Sequence, residues 1–182
     1  MTASLPKVLG IKSVAKTDLF TVERVNLEFS NGEQRAYERF AGRSNSSVII
    51  IPVHDQHIML VREYAVGFEQ YTLQFPAGRI DGDESPEQAA NRELQEEIGF
   101  AAKQLKTLKQ LAISPSYSSA KSYLVLARDL FPQSQAGDEP EPLEVVRWPL
   151  DQLDQLHDHP EFIGARSVAA LVYLYRGIHA AQ

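Results

Sequence analysis

Between Gly78 and Phe100 a turn-rich loop feeds a helix that carries three glutamates in its last two turns. Asp81, Gly82, Asp83 and Glu84 favour the loop, while Ser85, Pro86 and Gln88 supply an N-cap, a first-turn proline and a capping-box partner for the helix. Gly99 is the residue type that closes a helix in the left-handed conformation without steric cost. Ala90, Leu94 and Ile98 recur every four residues and give the helix one buried stripe. On the adjoining face Glu93 and Glu97 stand one turn apart, with Glu96 beside them and Arg92 one turn before Glu96. These carboxylates face the negative end of the helix dipole and repel one another, at a cost of roughly 1–2 kcal/mol at low salt. A stretch that breaks local rules in this way is a candidate functional site. A divalent cation is the simplest compensation, and hard carboxylate oxygens without cysteine or clustered histidine suit Mg²⁺ or Mn²⁺.

Gly78, Glu84, Arg92, Glu93, Leu94, Glu96, Glu97, Ile98, Gly99 and Phe100 fall where the Nudix box has Gly, Glu, Arg-Glu, an aliphatic residue, Glu-Glu and a closing aliphatic-Gly-apolar run. Over these residues the chain resembles the Nudix hydrolase family, with Phe100 aromatic where an aliphatic residue is more usual. The runs Leu19–Glu23, Phe29–Gly32, Arg62–Gly67, Ala136–Pro142 and Val146–Leu150 extend the resemblance to the branch of that family acting on ADP-linked compounds. Phe75-Pro76-Ala77-Gly78, by contrast, is similar to the general ADP-ribose pyrophosphatase version of its loop.

The resemblance implies hydrolysis of the pyrophosphate bond in ADP-ribose, diadenosine polyphosphates and NADH, with release of AMP. It also implies Mg²⁺ as cofactor and a homodimer. Carried over residue by residue, Glu93, Glu96 and Glu97 are expected to bind metal, joined by the backbone carbonyl of Ala77. Arg92 and Glu84 are expected behind them, the guanidinium forking a carboxylate and fixing its rotamer. In the segment Asp138-Glu139-Pro140-Glu141-Pro142, prolines stiffen the chain and hold carboxylates away from regular structure. Related enzymes place a catalytic glutamate and a further metal ligand there, so Glu139 and Glu141 are the matches. A carboxylate outside the metal set is needed to take the proton of the attacking water. Glu139 is expected in that role and Glu141 as a ligand, with Glu96 or Glu141 as alternative bases. Arg62, after the apolar run Ile58–Val61, and Arg43 are candidates for meeting phosphate or adenine. A competing class, a Nudix-fold nucleotide sensor that binds without hydrolysis, is disfavoured because such binders tend to lose box carboxylates and all are present.

The net charge of −6 argues against general binding to nucleic acid or anionic membrane, and an anionic substrate then needs metal ions and a few local arginines. With no cysteine, thiolate catalysis and thiolate zinc sites are excluded. No stretch approaches the apolar length of a membrane span, and a cytoplasmic protein is expected.

From Val8 to Phe40 the pattern predicts an antiparallel sheet, with a hairpin at Asn31-Gly32. A sheet of two or three strands is marginal alone, so residues 1–45 are expected to serve as a dimerisation element. Gly42–Ser47 is the expected boundary, and residues 46–182 the catalytic domain with its box at 78–100. Val48–Val53 reads as a strand buried on both faces. Further strands are expected at Ile58–Tyr64, Tyr71–Phe75, Leu105–Ile113, Tyr123–Ala127 and Leu143–Trp148, a long loop at Phe131–Pro142, and helices at Leu150–Leu156 and Ser167–Ile178. Together these predict an α+β fold, a mixed sheet between helical layers.

Overall fold

The computed structural model describes residues 4–41, 46–137 and 139–179. The chain divides into two compact units, Met1–Asn45 with Ala112–Lys121, and Ser46–Leu111 with Ser122–Gln182. Most of the linker Gly42–Ser47, including Arg43, lies outside the described residues, as does Asp138.

The first unit is an antiparallel sheet of β1 (Lys7–Lys16), β2 (Thr21–Glu28) and β3 (Gln34–Phe40), in the order β1-β2-β3. Gly32, at φ +84°, makes the β2–β3 turn, and its N–H donates to the Phe29 carbonyl at 2.9 Å. The joining segment Ala112–Lys121 contributes Tyr117, whose carbonyl accepts from the Phe40 N–H at 2.7 Å. The Phe40 ring lies 5.4 Å from Phe20 and 6.2 Å from Tyr117. Among the strand residues of this sheet only Val25 is buried, and β3 is exposed along its whole length.

The second unit is built on a mixed sheet of seven strands. These are β4 (Ser46–His54), β5 (His57–Ala65), β6 (Gln70–Gln74), β7 (Ala77–Arg79), β8 (Phe100–Ala112), β9 (Lys121–Pro132) and β10 (Glu144–Pro149). Their order is β10-β5-β4-β9-β8, with β6 also on β5 and β7 also on β4. Successive side chains of a strand point to opposite faces, and here both faces are covered. Ile49 and Ile51 of β4, Ile58 and Leu60 of β5, and Leu124 of β9 pack with α2 (Leu153–His157) and α3 (Ala165–His179). Val48 and Ile50, Met59 and Val61, and Val125 turn the other way onto α1 (Pro86–Glu97). That two-sided burial is why the apolar runs of β4 and β5 show no polar alternation.

Helix α1 begins as its sequence dictates. The Gln88 N–H donates to Ser85 Oγ at 3.2 Å and the Ser85 N–H to Gln88 Oε1 at 2.8 Å. It ends with Gly99 at φ +72°, and Ala90, Leu94 and Ile98 are buried beneath it.

Three elements differ from expectation. β7 is a three-residue strand where a connecting loop was expected; it forms because Ala77, Gly78 and Arg79 pair with Ile49, Val48 and Ser47 of β4. β8 starts at Phe100, directly after the helix-closing glycine, and β9 runs on to Pro132, so the long loop begins at Gln133. No helix among the described residues is long and apolar enough to cross a membrane.

Candidate active site

Loop, strand and helix converge at the C-terminal half of α1. The contact between Gly78 and Glu93 is the tightest: a β-carbon built on Gly78 would lie 1.9 Å from Glu93 Cδ. Glycine is therefore required at the middle of β7, because only a bare backbone lets the carboxylate lie against it.

Arg92 gathers the acids around it. Its Nε and Nη2 donate to the two oxygens of Glu84 at 3.0 and 3.2 Å, Nη1 donates to Glu93 at 2.8 Å and to Glu96 at 2.9 Å, and Nη2 also reaches the Arg79 carbonyl at 2.8 Å. The hydrogen bond to Arg92 holds Glu84 below the usual carboxylate pKa, helped by the Asp81 N–H, which donates to it at 3.1 Å. Reciprocally, Glu84 first and then Glu93 push Arg92 further above its already high value. The like-charge penalty read from the sequence is thus partly met by one guanidinium.

Glu97 lies beyond the reach of that guanidinium. Its Oε2 accepts from the Ala77 N–H at 3.3 Å, but burial, then the charge of Glu93, push its pKa up to about 9. Glu63 of β5 is raised for the same reason, burial first and then the charge of Glu139; its carboxylate is hydrogen-bonded by the Gln74 amide. Arg166, at the start of α3, partly offsets Glu63 and donates to Ser47 Oγ at 3.4 Å, while burial lowers its own pKa.

Glu139 arrives from the loop after β9, which is pinned along the last turns of α1. The Gln133 N–H donates to the Gly99 carbonyl and the Gln135 N–H to the Gln95 carbonyl, both at 3.1 Å. The Gln135 amide reaches Glu96 at 3.2 Å, and Gly137 passes so close to Glu96 that an added β-carbon would sit 3.4 Å from Glu96 Cβ. Ala77, Glu93, Glu96, Glu97 and Glu139 consequently line one cleft of about 470 Å³.

Three expected site residues lie outside that lining, Glu84 among them, where it anchors Arg92 from behind. Glu141 is turned away, accepting from Tyr71 Oη at 2.9 Å. Arg62 is already matched to protein carboxylates: its Nε and Nη2 donate to Glu161 at 3.0 and 2.5 Å, and its Nη1 lies 3.4 Å from Glu144. Arg43 falls outside the described residues. Glu63, Gln74, Tyr71 and Arg166 were not read as site residues, because they come from three separate elements and no spacing links them to the box.

No three acidic or histidine side chains among the described residues converge tightly enough to chelate a cation as they stand. The reason is visible: Arg92 draws Glu93 and Glu96 towards itself, while Glu97 turns to the Ala77 N–H. The donor set nevertheless suits a hard divalent ion, being all oxygen. Burial first, and then the charges of Glu93, Glu63 and Glu139, raise the Glu97 pKa to about 9, and a cation among these oxygens would offset both causes.

Comparison with known proteins identifies the family. The NUDIX domain model matches residues 43–171, and the model of the NudE-type Nudix hydrolase N-terminal domain matches residues 6–39. The chain belongs to the Nudix hydrolase family. Among Nudix proteins it is 52% identical over 166 residues to the ADP compounds hydrolase NudE of Escherichia coli K12, covering 91% of this chain and 89% of that one. It is 29% identical over 176 residues to the ADP-ribose pyrophosphatase of Bacillus subtilis 168, covering 92% and 94%. A crystal structure of an ADP compounds hydrolase superposes with a TM-score of 0.94 at 49% identity, covering 100% of this chain and 98% of that one. The α+β Nudix fold and the hydrolase class are thereby shown for this chain.

Proposed function

We propose that the protein hydrolyses the pyrophosphate bond of ADP-linked compounds, among them ADP-ribose, diadenosine polyphosphates and NADH, giving AMP and the phosphorylated remainder. The observation that carries this reading is the cleft in which three glutamates of α1 and Glu139 of a separate loop face one another beside Ala77.

Glu93, Glu96, Glu97 and the Ala77 carbonyl are the groups that would hold Mg²⁺ or Mn²⁺. Such ions, when bound, neutralise the phosphate oxygens and acidify a water. The protein's own contribution is positional. Arg92 holds Glu93 and Glu96 on one side of α1, with Glu84 as its counter-anchor. Gly78 lets Glu93 lie flat against β7. Glu139, on a different element from the α1 glutamates, is free to accept the proton of the attacking water. Glu141, turned towards Tyr71 in the structure, would have to swing round to join a metal.

We further propose a cytoplasmic homodimer formed through the first unit. The exposed side chains of Val8, Ile11 and Tyr37 on a three-stranded sheet with one buried strand residue, and of Leu19 and Phe20 in the turn between β1 and β2, support it. Incubation with ADP-ribose and Mg²⁺, followed by analysis for AMP with and without EDTA, tests the activity. AMP that appears only without chelator is the expected result. Full turnover in EDTA would overturn the metal reading, and tight binding with no AMP in either arm would leave a nucleotide sensor.

A further inference from the structure

The acidic loop is fastened at two points to the β5–β6 hairpin. Tyr71 Oη, on β6, donates to Glu141 Oε1 at 2.9 Å. Three residues on, Glu144 opens β10 directly opposite Arg62 of β5, with its carboxylate 3.4 Å from the Arg62 guanidinium. The same guanidinium is forked by Glu161 and stands 5.6 Å from the centre of the Tyr71 ring. The Tyr64 ring meets Tyr71 edge-on at 5.6 Å. The chain between these fastenings is short and stiffened by Pro142, and Pro140 stiffens the step from Glu139 to the first of them. Two residues before the first of them stands Glu139, lining the cleft.

We infer that Tyr71 is a positioning residue: by holding Glu141 it fixes where the loop begins to rise from the hairpin, and so where the Glu139 carboxylate meets the glutamates of α1. The inference rests on the reading of Glu139 as the base. Acceptance by Glu141 raises the Tyr71 pKa, which favours the phenol as donor. Arg62, with both forks matched to protein acids, belongs to this fastening and orients Tyr71 through its ring face.

A hydrogen bond from a neutral donor to an exposed carboxylate is modest, so its loss should lower the correctly placed population by about tenfold or less. Tyr71→Phe removes one oxygen from a half-exposed ring and leaves the fold intact. With ADP-ribose and Mg²⁺ its kcat is expected to fall roughly tenfold, with KM and the Mg²⁺ concentration for half-maximal rate unchanged. Glu141→Ala should reproduce that change, and Tyr71→Phe introduced into Glu139→Gln should add nothing, since the group being positioned is already lost. Wild-type kcat in Tyr71→Phe overturns the inference, as does a full additional fall in the double variant. A raised Mg²⁺ requirement in Glu141→Ala overturns it too, by making Glu141 a metal ligand. Wild-type kcat in Glu139→Gln alone overturns the base assignment instead, and so separates the two failures.

Discussion

The carboxylate of Glu93 occupies the space that a β-carbon at position 78 would need, with Glu93 Cδ 1.9 Å from that point. A helix residue and a strand residue are thus interlocked through the absence of a side chain. Gly78→Ala should displace Glu93 rather than the backbone, because the obstructing atoms are the far end of a side chain. The expected result is a Mg²⁺ requirement raised by about tenfold or more with a small loss of stability, below roughly 2 kcal/mol. A Mg²⁺ titration of rate and a thermal melt of the same variant check it.

Arg92 divides five donors between Glu84, Glu93, Glu96 and the Arg79 carbonyl, a geometry that an ammonium group cannot reproduce. Arg92→Lys should therefore lower kcat/KM by about a hundredfold, although the charge is kept. It should also lower the Tm measured in EDTA more than the Tm measured in Mg²⁺, since bound metal takes over part of the neutralisation. Equal losses in both conditions would count against this.

Glu97 binds its proton more tightly in the folded protein, with a pKa of about 9, than in the unfolded chain at about 4.5. Its contribution to stability is therefore complete below the lower value and is lost as pH rises through the upper one. Without metal, the Tm should fall by roughly 10 °C or more between about pH 5 and pH 9. Saturating Mg²⁺, taking the place of the proton, should flatten that dependence. Glu97→Gln should flatten it without metal, while cutting activity by about a thousandfold. Thermal melts across pH, with and without EDTA, give the slopes.

Glu139 lines the cleft from an element other than the helix that carries Glu93, Glu96 and Glu97. Glu139→Gln should lower kcat by roughly a hundredfold with little change in the Mg²⁺ concentration for half-maximal rate. Wild-type kcat would move the base to Glu96 or Glu141.

The box helix was legible because everything that makes it is contiguous: cap, first-turn proline, apolar stripe and closing glycine lie within the span from Ser85 to Gly99. β4 and β5 were legible from their unbroken apolar runs. β7 was not, since Ala-Gly-Arg carries no strand signal and its pairing is imposed by β4. Arg62 shows the limit most clearly. Position after an apolar strand suggested a phosphate ligand, but whether a guanidinium is available depends on Glu161, ninety-nine residues away, and Glu144. The open choice between Glu139 and Glu141 has the same origin: that one of these two carboxylates accepts from Tyr71, seventy residues from Glu141, is not written in the local sequence.

Because the first unit is closed by Ala112–Lys121, its completion is tied to the order of synthesis. A ribosome releases β1, β2 and β3 long before Tyr117, whose carbonyl takes the Phe40 N–H and whose ring flanks Phe40. The nascent three-stranded sheet must therefore wait, exposed, while α1 and the strands around it are made. Any fragment that stops after β3 is missing a piece of its own unit, and any fragment that starts at β4 carries that piece without its partner.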